Sequence, residues 1–189
     1  MTLKLKVITG STRPGRVGPT IAKWVTQAAE ANGKFAVEAV DLADINLPLL
    51  DESTHPAMQQ YEHEHTKRWS AIIGDADAFV FVTPEYDFFA PASLVNAVQV
   101  LLKEWKYKPA GVVSYGGISG GLRSAQTLRQ LLGNVGVAAI PEGVPLPLFP
   151  EFISDDGTFV PNDKVKEGAN AMFSELARWG EALKPMRSA

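Results

Sequence analysis

Five short apolar runs alternate with stretches of helical spacing, and this alternation limits the fold more than any other feature. The runs are Leu3–Thr9, Phe35–Leu42, Ala78–Thr83, Pro109–Tyr115 and Val137–Ile140. The third is densely apolar, without the polar interruptions of a half-exposed strand. Such a run reads as a strand buried on both faces, as in parallel sheets covered by helices. Helical periodicity is expected over Val17–Ala31, Pro56–Asp75, Pro91–Trp105, Gly121–Leu132 and Asp163–Leu183. Gly33 would stop the first of these, Pro91 suits a first helical turn, and Asn162 or Asp163 would cap the last. Repeated strand–helix alternation implies an α/β fold of three layers, with helices on both faces of a parallel sheet. Five strands favour the flavodoxin-like order 2-1-3-4-5 over the six-stranded dinucleotide arrangement.

The length of 189 residues fits one domain, expected to span 1–189. Hydrophobic residues make up 46% and charged residues 21%, enough apolar material for a substantial core. A net charge of −3 argues against nucleic acid as a partner. There is no cysteine, which removes disulfides, thiolate metal sites and a cysteine nucleophile. Met1–Lys6 runs straight into a strand pattern without a secretory layout, and no apolar run is long enough to span a bilayer. The expectation is a cytoplasmic protein with no membrane partner. Pro141–Pro161 is proline-rich but carries Phe149, Phe152 and Phe159, so it reads as an extended segment lying on the body.

Open parallel sheets bind ligands beyond the carboxyl ends of their strands, and three strand ends here carry ligand-type loops. The first is Gly10–Gly18, with hydroxyls (Ser11, Thr12), two arginines (Arg13, Arg16) and a helix starting near Val17. It matches neither the Gly-x-Gly-x-x-Gly fingerprint nor a Walker loop. Its free N–H groups and the positive end of the helix dipole would nevertheless favour a phosphate. The second, Thr83–Asp87, combines a fixed turn at Pro84, a carboxylate at Glu85 and the aromatics Tyr86, Phe88 and Phe89, which can pack on a planar ring. Glu85 reads as a hydrogen-bond acceptor or helix cap rather than a general base. The third, Ser114–Gly121, holds four glycines in eight residues, letting backbone N–H groups approach a heterocycle. Arg123 follows just inside the next helix.

These motifs in this order resemble the NADPH-dependent FMN reductase family, flavodoxin-like flavoproteins with quinone, chromate and azo-dye reductases among them. The family's Gly-Ser-x-Arg loop corresponds to Gly10, Ser11 and Arg13. Its Thr-Pro-Glu-Tyr-Asn segment, proline and Leu-x-Asn-Ala helix correspond to Thr83, Pro84, Glu85, Tyr86, Pro91, Leu94, Asn96 and Ala97. Its Ser-x-Gly-x-x-Gly-Gly-x-Arg loop corresponds to Ser114, Gly116, Gly120 and Arg123, and the likeness covers about Leu3–Ile140. Two positions depart: Asp87 stands where asparagine is usual, and Gly18 where many members have serine.

The resemblance implies that Ser11, Arg13, Arg16, Val17 and Gly18 hold an FMN phosphate. Pro84, Glu85, Tyr86 and Asp87 would lie along the isoalloxazine, with Ser114, Tyr115, Gly116 and Gly117 on its other side. The flavin would carry the chemistry, taking electrons from NADPH or NADH and passing them to a small acceptor: a quinone, free flavin, azo compound or metal oxyanion. No catalytic side chain is then required. The resemblance also suggests a homodimer or homotetramer, with Phe88, Phe89, Trp105 and Tyr107 as aromatic anchors. A flavodoxin-type electron carrier and a flavin-binding module without NAD(P)H turnover are the alternatives, separated from a reductase by an NADPH oxidation assay and an FMN titration. His55, His63 and His65 read as a solvated patch rather than metal ligands, because residues two apart do not share a helix face.

Overall fold

The computed structural model describes residues 2–187. Five strands form one parallel sheet in the order β2-β1-β3-β4-β5: β1 (Leu3–Thr9), β2 (Phe35–Asp41), β3 (Ala78–Pro84), β4 (Pro109–Tyr115) and β5 (Ala138–Leu146). Every residue of β3 and β4 is buried, as dense apolar runs at the centre of a two-sided sheet must be. Among the described residues, six helices accompany the sheet: α1 (Gly18–Asn32), α2 (Leu42–Ile45), α3 (Glu64–Gly74), α4 (Ala92–Gln99), α5 (Leu122–Asn134) and α6 (Asp163–Leu183).

Two cores result. On one face α1 and α6 bury Ile21, Val25, Met172, Phe173 and Leu176 against Leu5, Val7 and Val80. On the other α3, α4 and α5 bury Trp69, Ile73, Leu94, Val98 and Leu128 against Ile8, Phe79 and Phe81. The helix ends follow local chemistry. Gly33 ends α1 at a left-handed φ of 74°, and Asn162 caps α6 by accepting the Val165 N–H at 3.0 Å.

Three elements differ from the sequence expectation, each for a local reason. The helix expected over Pro56–Asp75 begins only at Glu64. A single 3-10 turn, Pro56–Met58, ends at Gln59 with φ 53°, and Glu52 then accepts the Glu62 and His63 N–H groups at 2.7 and 3.1 Å. The helix expected over Pro91–Trp105 stops at Gln99, with Pro91 outside its first turn and a separate 3-10 turn at Lys103–Trp105. The strand expected over Val137–Ile140 extends to Leu146. It lies at the sheet edge, where Pro141 and Pro145 are tolerated, and its register with β4 shifts between Ala110 and Val112. Arg129 donates to the carbonyls of Ala139 and Pro141 at 3.4 and 3.2 Å, partnering groups beside that irregularity.

Candidate functional site

The parallel register brings the ends of β1, β3 and β4 together: Thr9 is adjacent to Val82, and Pro84 to Tyr115. The three strand-end loops therefore open on one cleft. Its cavity of about 420 Å³ is lined by Arg13, Gly15, Arg16 and Val17 from the first loop and Pro84, Glu85 and Tyr86 from the second. Tyr115, Gly116 and Gly117 complete the wall from the third loop, with Phe149 beyond β5. This volume lies within the range of small-molecule sites.

The first loop presents donors without partners. The N–H groups of Thr12, Gly15 and Val17 have no hydrogen-bond acceptor among the described residues, and neither has the Arg13 guanidinium. They sit at the N-terminus of α1, where the helix dipole adds positive potential. Arg16 differs. Its Nη1 donates to the Ser11 carbonyl at 2.8 Å and to the Asp41 carboxylate at 2.5 Å, and the bond to Asp41 raises the guanidinium pKa. Asp41 also accepts the Ala43 N–H at 3.0 Å, so the same carboxylate caps α2 and holds Arg16 from behind.

Glu85 lies between the second and third loops. Its carboxylate accepts from Arg123 Nε at 2.7 Å, from the Arg123 backbone N–H at 3.1 Å and from Ser119 Oγ at 3.1 Å. The Arg123 contacts come first in holding its pKa below the ordinary carboxylate value, so Glu85 stays ionised and acceptor-only. It accepts from the first turn of α5 and binds two loops together, and as an ionised carboxylate it has no proton to donate near neutrality. The Arg123 guanidinium also stacks over the Phe88 ring at 3.8 Å, so it is engaged on both sides.

The remaining residues singled out from the sequence lie off the cavity wall. Ser11 is fully buried, its Oγ 2.8 Å from the Tyr86 hydroxyl. Gly18 begins α1, where a Cβ would come within 3.0 Å of both Thr9 Cγ2 and the Tyr115 hydroxyl. Ser114 is buried and donates to the Gly120 carbonyl at 2.8 Å, holding the third loop in shape. Asp87 projects from the exposed tip of a two-residue turn. Tyr86 and Phe89 exchange backbone bonds of 3.0 and 2.9 Å around it, and Asp87 and Phe88 have φ of 48° and 75°.

Trp105 is not an interface anchor. It is fully buried between Trp69, Phe79 and Phe81, and its indole N–H donates to the Val98 carbonyl at 3.0 Å. Phe88, Phe89 and Tyr107 do lie exposed. His63 and His65 stack on each other at 5.1 Å, and His65 contacts Asp51 at 3.0 Å.

Sequence reading missed Phe149 as part of the cleft. It reaches the wall because β5 extends beside β4 to Leu146. Leu148 and Phe149 then donate to the Gly117 and Gly116 carbonyls at 2.9 and 3.3 Å. Its ring meets Tyr115 edge-on at 5.4 Å. A strand running past two prolines was the signal, and it is legible only if β5 is taken as an edge strand.

Comparison with known proteins places the chain among flavin enzymes. A family model described as NADPH-dependent FMN reductase matches residues 3–150. An NAD(P)H-dependent FMN reductase of Schizosaccharomyces pombe is 40% identical over 170 residues, covering 89% of this chain and 78% of the relative. A quinone reductase of Pseudomonas putida is 29% identical over 181 residues, covering 92% of each. Among solved structures, the flavoenzyme NAD(P)H:(acceptor) oxidoreductase FerB of Paracoccus denitrificans superposes with a TM-score of 0.71 at 23% identity, over 96% of this chain and 98% of that one. At that identity the superposition speaks for the fold.

Proposed function

The chain belongs to the NADPH-dependent FMN reductase family, and from that premise we propose how its cleft holds the flavin and what it reduces. It is an FMN-dependent NAD(P)H oxidoreductase. Bound FMN supplies the two-electron centre between the reduced nicotinamide and the acceptor. The protein binds, orients and shields.

Convergence of the three loops on one cavity carries the reading. The unpartnered Thr12, Gly15 and Val17 N–H groups and the Arg13 guanidinium offer the donors a phosphate needs, at a helix N-terminus. Arg16, steadied by Asp41, adds a second positive group from the other side. Pro84, Glu85, Tyr86, Tyr115, Gly116 and Gly117 then border the space for the ring system, with Phe149 closing one end. Ser11, Gly18 and Ser114 act from behind the wall by shaping these loops. Asp87 stands at the cleft's outer rim, where it would face an incoming donor or acceptor. No side chain is assigned as acid or base, which agrees with Glu85 being bound on several sides.

The acceptor class is a small oxidised molecule: a quinone, free flavin, azo compound or metal oxyanion. The named activity of the Pseudomonas putida relative puts quinones first. We read the whole chain as one flavin-binding domain acting in the cytoplasm, assembled as a homodimer or homotetramer. Exposed Phe89 borders an apolar hollow with Val95, Leu128 and Leu131 that a second copy could cover.

The test is an FMN titration followed by anaerobic NADPH and NADH addition, then turnover with a benzoquinone. Expected are saturable binding at micromolar FMN, bleaching of the flavin band and quinone-dependent NAD(P)H oxidation. Absence of FMN binding overturns the site. Binding without NAD(P)H turnover overturns the reductase reading. Light scattering of the holoprotein checks the assembly, for which a monomer is the contrary result.

A further inference from the structure

The charges around the cleft do not balance. Within two positions along the chain of a wall residue, the charged side chains are Arg13, Arg16, Glu85, Asp87 and Glu151. Two of them are neutralised by ion pairs, Arg16 by Asp41 and Glu85 by Arg123. Arg13 is left on the positive side, where the phosphate reading uses it. Asp87 and Glu151 are left on the negative side. Both are exposed, and neither carboxylate has an ion-pair or hydrogen-bond partner among the described residues.

The backbone holds both carboxylates beside the wall. Asp87 follows Tyr86 in the turn closed by the two Tyr86–Phe89 backbone bonds and clamped by Arg123 on Phe88. Glu151 lies in the 3-10 turn Phe149–Phe152, where its N–H donates to the Leu148 carbonyl at 2.9 Å. One or two Cα steps of about 3.8 Å keep each residue within about one screening length of the wall, roughly 8 Å at physiological ionic strength. Apolar side chains stand on the same rim. Ile118 follows the wall residue Gly117 and is 90% exposed, and Phe88 and Leu148 are exposed as well.

We propose that the cleft sorts electron acceptors by charge: it favours neutral, apolar quinones over anionic acceptors such as metal oxyanions, and Asp87 and Glu151 set this preference. This rests on the FMN reading above. A phosphate monoester carries about −1.5 to −2 charges at pH 7, so it uses up the positive charge of Arg13 and leaves none for a second anion. With the two ion pairs cancelling, the mouth is negative. Like charge slows the approach of an anion and weakens its binding. An exposed Ile118 and Phe88 offer an oxyanion no donor, whereas they give a neutral ring apolar surface to lie against. A quinone takes up two electrons and two protons and leaves as the hydroquinone, so substrate and product are both neutral and the carboxylates oppose neither.

The experiment uses the full chain loaded with FMN and two probes, 1,4-naphthoquinone and its 2-sulfonate, which share a ring and differ by one negative charge. Affinity for the oxidised holoprotein is read from the flavin absorbance band with no electron donor present. The second-order rate of reoxidation is read after reduction by one equivalent of NADPH without oxygen. Comparing the neutral-to-sulfonate ratio between parent and variant cancels the probes' own differences in potential and size. Asp87→Asn keeps the size of the side chain and tolerates its φ of 48°. It is expected to shift both ratios toward the sulfonate about threefold, the size of one charge pair at about 6 Å in water. Adding Glu151→Gln should carry the shift to about tenfold, and high salt should shrink it. If the substitutions only loosen the turn, both probes weaken together. Ratios that stay put in the double variant, or a shift that persists at high salt, overturn the proposal. Failure of the parent protein to bind FMN, seen in the titration before any quinone is added, overturns the FMN reading and the charge sorting with it.

Discussion

At the scale of single residues, the cleft separates its arginines by what already holds them. Arg16 is tied to Asp41 and Arg123 to Glu85, while Arg13 has no side-chain partner among the described residues. Arg13→Ala is therefore expected to weaken FMN binding by roughly 1.5–3 kcal/mol, the range for a hydrogen bond to a charged group, with riboflavin binding much less affected. Parallel titrations of the two flavins check this, and equal losses would remove Arg13 from the phosphate contacts. The identity of these residues was legible in the sequence, because loop chemistry after a strand is local. Their engagement was not. That Glu85 accepts from both Ser119 and Arg123 depends on loops 34 and 38 residues apart meeting in space. Ser11, Gly18 and Ser114 were likewise identifiable as loop residues, but only packing put them behind the cavity wall.

At the scale of elements, strands were read more accurately than helices. β3 and β4 announce themselves because burial on both faces demands apolar residues at every position. Helix α4 ends early because Trp105 must turn back into the core beside Phe79 and Phe81, and a longer helix would carry it elsewhere. Trp105→Ala is accordingly expected to destabilise the protein by about 3–5 kcal/mol, the cost of emptying a buried aromatic site. Substituting the exposed Phe88 with Ala should leave denaturant stability far closer to the parent. Urea unfolding of both variants tests the contrast, and the reverse order would return Trp105 to the surface. Similar context explains β5. Its prolines argue against a strand in general, but an edge position and a register shift make room for them.

At the scale of the whole molecule, the end of the sheet opposite the cleft is held by charge. Asp77 pairs with Lys184 and Arg187, tying the end of α6 to the start of β3. Beside it Lys108, almost fully buried, donates to the Ile73 and Gly74 carbonyls at 2.7 and 3.0 Å at the end of α3. Burial lowers its pKa from 10.5 to about 8. Between those values the unfolded chain holds the proton and the folded chain does not, so this group makes stability rise with pH from about 8 upward. Chemical denaturation at pH 8, 9 and 10 should show a more positive slope for the parent than for Lys108→Met, and equal slopes would place the amine in a solvated setting. The sequence by itself determined the strand–helix alternation, the sheet order and the three loops at strand ends. Each rests on local periodicity and turn chemistry carried by neighbouring residues. Only the tertiary structure decided which loop residues face the cavity, that Phe149 completes it, and that Tyr86 reaches across from one loop to the other. Those outcomes depend on contacts between segments far apart in the chain, and the apolar pattern that drives collapse does not encode which polar groups meet when it is complete.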